Sequence, residues 1–128
     1  MSGNNNFRFG RLALLVAAFA GLAALTPSAA RAQDASTKTA MQHASLAAKG
    51  ADLATVKKHM HHVLNCLEGK SGKDYDASAG DPCKGVAAAS NAKVEEAIRL
   101  AVVAESLDSE VAAKHVAEAV AAVLAEVK

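Results

Sequence analysis

Between Asp52 and Leu67 the apolar side chains Leu53, Val56, Met60, Val63, Leu64 and Leu67 recur every three or four residues. Only a helix gathers that period onto one face. Asp52 stands where a helix needs its first cap. The same reading gives a helix over Thr37–Lys49, with Met41, Ala44 and Ala48 in one stripe and Gly50 as a left-handed C-cap. A third helix is predicted over Ser90–Ser106. A fourth opens near Asp108 and turns Val116, Val120, Val123, Leu124 and Val127 to one side. No segment combines two-residue alternation with β-branched or aromatic enrichment, so a sheet is not expected and the fold class is all-α.

The helices fall into two halves. A shift of 56 residues lays 44–69 on 100–125, matching Asp52 with Asp108, Lys58 with Lys114 and His59 with His115. Two repeated antiparallel helix hairpins make a four-helix bundle. Between the halves, residues 69–85 are rich in Gly, Asp and Ser and read as a loop, with Asp81-Pro82 able to open a helical turn. Cys66 and Cys83 bracket this loop and are the chain's only cysteines. An even count in a small exported domain points to a disulfide, worth about 3 kcal/mol through the entropy of the loop it closes.

Export is expected from the amino terminus. Arg8 and Arg11 precede the apolar stretch Leu12–Leu25, and Pro27 leads to Ala30-Arg31-Ala32. A basic start, a short apolar core and an A-x-A site are the order of a secretory signal, expected here to occupy residues 1–32 and to be cut after Ala32. The apolar run is 14 residues, short of the roughly 20 that span a bilayer, so no membrane attachment is expected after cleavage. Residues 33–128 then form a single periplasmic or secreted helical domain. It is alanine-rich, with 23 alanines, which favour helix and let helices approach closely. Its 13 acids outnumber its 11 Lys and Arg, leaving no basic face for nucleic acid. Tyr75 is its only aromatic, so nothing offers a stacking platform for bases or flavins.

Candidate chemistry concentrates in His59-Met60-His61-His62-Val63-Leu64-Asn65-Cys66. His59 and His62 lie three apart on one helical stripe beside the core, and His61 lies on the other flank. Two histidines so placed can ligate one transition metal, copper, nickel or zinc, with His115 as a possible third ligand. The same pair also suits a helix C-terminus with no metal at all, where imidazolium meets the macrodipole. A set of His59, His62, Cys66 and Cys83 would hold zinc only if both cysteines stayed reduced. Met41 and His115 could be compared with the axial ligands of haem b bundles, although no C-x-x-C-H is present for covalent attachment. His43 is a lone histidine on the first helix. Asp74, Asp76 and Asp81 lack the ladder of a calcium loop. No nucleophile elbow or phosphate-binding glycine loop occurs, so no enzyme is expected. The alternative to metal binding is a structural or interaction module that uses the 66–83 loop as its contact surface.

Two stretches, HASLAAKGADLATVKKHMHHVL (43–64) and AVVAESLDSEVAAKHVAEAV (101–120), carry a resemblance. Together they resemble the bacterial small metal-binding protein family, secreted bundles rich in Ala and His. Lys114-His115-Val116-Ala117-Glu118-Ala119 is the stretch most similar to that family's second helix. The resemblance covers most of residues 33–128 and implies a helical bundle that binds metal. The chain departs from the pattern in having five histidines, three of them clustered, and in its Cys-bracketed loop.

Overall fold

The structure, a computed structural model, describes residues 26–128; residues 1–25 of the expected 1–32 signal lie outside them, and Pro27–Ala32, its last residues, form the first turns of a helix. The described residues form four helices, α1 (Pro27–Ala48), α2 (Leu53–Glu68), α3 (Ala92–Ser106) and α4 (Glu110–Ala125), with one 3-10 turn at Ala77–Ala79. No strand occurs among them.

Each helix begins on a capping side chain. Asp52 accepts from the Thr55 amide at 2.7 Å, and Asn91 accepts from the amides of Lys93 and Val94 at 3.0 Å. Ser109, one residue past the expected Asp108, accepts from the Ala112 amide at 3.3 Å. The largest departure is α1, which starts ten residues before the predicted Thr37. Pro27 sits in its first turn, where its fixed φ is already helical and its missing N–H is not needed, and Thr26 caps it. Gly50 also differs from expectation. Its φ is not positive; it is needed because a Cβ there would lie 2.9 Å from Val56 Cγ2.

The connections 49–52 and 107–109 are so short that α2 folds back on α1 and α4 on α3. Contacts of α1 with α4 and of α2 with α3 close the bundle. Its centre holds Val56, Met60, Val63 and Leu64 of α2, with Val94 of α3 and Val120 of α4, all essentially inaccessible. Most of the remaining core is alanine: Ala40, Ala44 and Ala47 on α1, Ala97, Ala101 and Ala104 on α3, Ala113 and Ala117 on α4. The phase of α4 is thereby corrected. Its inner line is Ala113–Ala117–Val120–Leu124, and Val116, Val123 and Val127 are only half-buried. Small residues on the inner line bring the helix axes together, and the bulkier valines fill the seams to either side.

The loop from α2 to α3 is closed by the Cys66–Cys83 disulfide, with Cα atoms 5.1 Å apart. The loop is also fixed at its far end. The Ser36 hydroxyl of α1 donates to the Val86 carbonyl at 2.8 Å, and the Ala88 amide donates to the Cys66 carbonyl at 3.0 Å. None of the described helices is long and apolar enough to cross a membrane.

Candidate metal centre

His59 and His62 project from adjacent turns of α2 on the side that faces α1. There they meet His43. Its Nδ1 lies 3.1 Å from Nδ1 of His59 and 3.3 Å from Nδ1 of His62. The rings are inclined rather than stacked, with the His43 centroid 5.4 Å from that of His59 and 4.6 Å from that of His62. One ligand atom from each of the three lies within 4.8 Å of the others, close enough to hold a metal ion. Two nitrogens bound at 2.0–2.1 Å to a tetrahedral ion stand about 3.3 Å apart, so the observed spacings fit a common ion with little movement.

The protons are arranged to suit such an ion. Nε2 of His62 lies 2.7 Å from the Ala79 carbonyl. A carbonyl oxygen has no proton to give, so Nε2 is the donor, and in the neutral ring Nδ1 of His62 presents a bare lone pair toward His43. In a metal site the outward N–H of a ligating histidine is held by just such an acceptor. Two of the half-buried rings, His43 and His59, are also biased toward the neutral form. Burial, and then repulsion from His62 and His59, lowers the pKa of His43 from 6.5 to about 4. His59 is lowered too, by burial first and then by His62 and Lys58. Neutral imidazole is the ligating form.

The other candidates lie elsewhere. His61 is on the opposite flank of α2, where its Nδ1 lies at ion-pair distance, 2.7 Å, from Oε1 of Glu105 on α3. Burial, with Asp74 and Asp76 nearby, raises the Glu105 pKa to about 7. His115, considered as a third ligand, is instead an exposed residue of α4 beside Glu118, at 3.2 Å. Because Cys66 and Cys83 are bonded to each other, neither can serve as a thiolate, and the Cys2His2 set does not form. Met41 shares a groove with Leu124, nine residues or about 13 Å along α4 from His115, so the two do not face a common haem. In the loop, Asp76 accepts from Ser78 and Asp81 from Tyr75 and Cys83, as turn-forming residues do.

Sequence reasoning found two of the three imidazoles and missed His43. The signal was present. With the hairpin turning about Ala51, His43 and His59 each stand eight residues from the turn, and positions equidistant from a tight turn face each other. No protein family, no curated protein and no solved structure matches this chain.

Proposed function

We propose that this chain is an exported helical protein that binds one transition metal ion, copper, nickel or zinc, through His43, His59 and His62, and that it is not an enzyme. The observation that carries the reading is the convergence of three imidazoles from two helices, with Nδ1 of His43 3.1 and 3.3 Å from Nδ1 of His59 and His62 and one ligand atom of each within 4.8 Å of the others. Nitrogen ligands without thiolate favour these three metals. The resemblance of the two hairpin stretches to small metal-binding proteins supports the same reading. An oxidising compartment, as the disulfide suits, would supply the ion outside the cytoplasmic thiol pool.

The test is calorimetric titration of tag-free protein with each of the three ions. One ion per chain is expected. His43→Ala, His59→Ala and His62→Ala should each weaken binding at least about tenfold. His61→Ala and His115→Ala should leave it unchanged. Equal effects across all five variants would overturn the proposal.

A further inference from the structure

Three residues beyond His62, one turn along α2, stands Asn65. It is fully buried. Its side chain spends all its hydrogen bonds on the disulfide-closed loop. Nδ2 donates to the carbonyls of Asp76 and Gly80, both at 2.7 Å, and Oδ1 accepts from the Asp76 amide at 2.8 Å. These bonds grip the loop on both sides of the Ala77–Ala79 turn, whose last carbonyl is the one that meets His62 Nε2 at 2.7 Å. In extended backbone, successive carbonyls point to opposite sides. Gly80 adopts a φ of +96°, and the carbonyls of both Ala79 and Gly80 are turned to α2. A Cβ at Gly80 would come within 3.4 Å of His62 Nε2, so the approach is close as well as bent.

We infer that Asn65 is a positioning residue for the metal centre, an inference that rests on the metal-binding reading above. By clamping residues 76–80, it holds the Ala79 carbonyl where it fixes the proton of His62 on Nε2 and leaves Nδ1 free to ligate. Without the clamp, His62 can carry its proton on Nδ1, the atom the ion needs. Outer partners of this kind alter metal affinity by about 10–100-fold when removed.

The His62 tautomer is read directly from nitrogen chemical shifts of the metal-free protein at about pH 8, where imidazole is neutral. Wild type should show the proton on Nε2. Asn65→Ala, and Asn65→Asp, which keeps the acceptor but loses both donors, should show a mixture. In zinc titrations both variants should bind about 10–100-fold more weakly, with helical circular dichroism unchanged. A merely structural asparagine would lower the melting temperature and leave the tautomer alone. A wild-type proton on Nδ1 overturns the inference even if neither variant folds, as do folded variants with wild-type tautomer and affinity. If wild type takes up no zinc while the variants still shift the tautomer, the metal reading falls and the link from Asn65 to His62 stands.

Discussion

At the residue scale, two groups set opposing responses to acid. In the folded chain His43 is protonated only below about 4, against 6.5 when unfolded, so between those values the unfolded state binds more protons. Acidification through that window therefore destabilises the metal-free fold, and the lowered pKa of His59 acts in the same sense. Glu105 has its pKa raised from 4.5 to about 7, so there the folded state binds more protons and rising pH is destabilising. The two largely offset each other where their windows overlap. Melting temperatures of metal-free wild type should vary little across that overlap. Glu105→Gln should expose the histidine limb, melting lower as the pH falls. The double variant His43→Ala/His59→Ala should expose the other limb, melting higher as the pH falls from 7 toward 4.5. Parallel profiles for the two variants would show that the protonation of these groups is not coupled to folding in this way.

At the scale of the helix, the alanine lines govern close packing, and they mark what the sequence disclosed. The stripe of α2 was legible because its inner residues are large: Val56, Met60, Val63, Leu64 and Leu67 are all buried as read. The phase of α4 was not, because hydropathy ranks valine above alanine and so turned Val116, Val123 and Val127 inward. Close approach of the helices reverses that ranking, and no single helix reveals how near its neighbour will come. Similarly, the His59–His62 spacing is a property of one helix, whereas His43 joins them only through pairing across the 49–52 turn. Two substitutions separate the two phases of α4. Ala117→Leu should destabilise by about 1–3 kcal/mol, because it forces a side chain into a seam already filled. Val116→Ala, which empties a half-buried position, should cost less than that. Urea denaturation measures both, and the reverse order would restore the valine-inward phase.

At the scale of the whole molecule, the disulfide does two things at once. It restricts the unfolded chain, so reduction should lower stability by about 3 kcal/mol, or roughly 12–24 °C in melting temperature. It also closes the loop that presents Ala79 to His62, so reduced protein should hold zinc more weakly than oxidised protein, measured on folded samples below the transition. Maleimide labelling of the denatured, unreduced chain should find no free thiol. The imidazoles have a further consequence because one comes from α1 and two from α2. An ion held among them ties α1, whose buried face is only serine and alanine, directly to α2. Free ion at a hundred times its dissociation constant would add about 2.7 kcal/mol to the folded state. A change of that size alters how often a protein opens to proteases, and hence its abundance. The lifetime of this chain would then follow the free metal around it, with copies made in scarcity cleared before copies made in plenty.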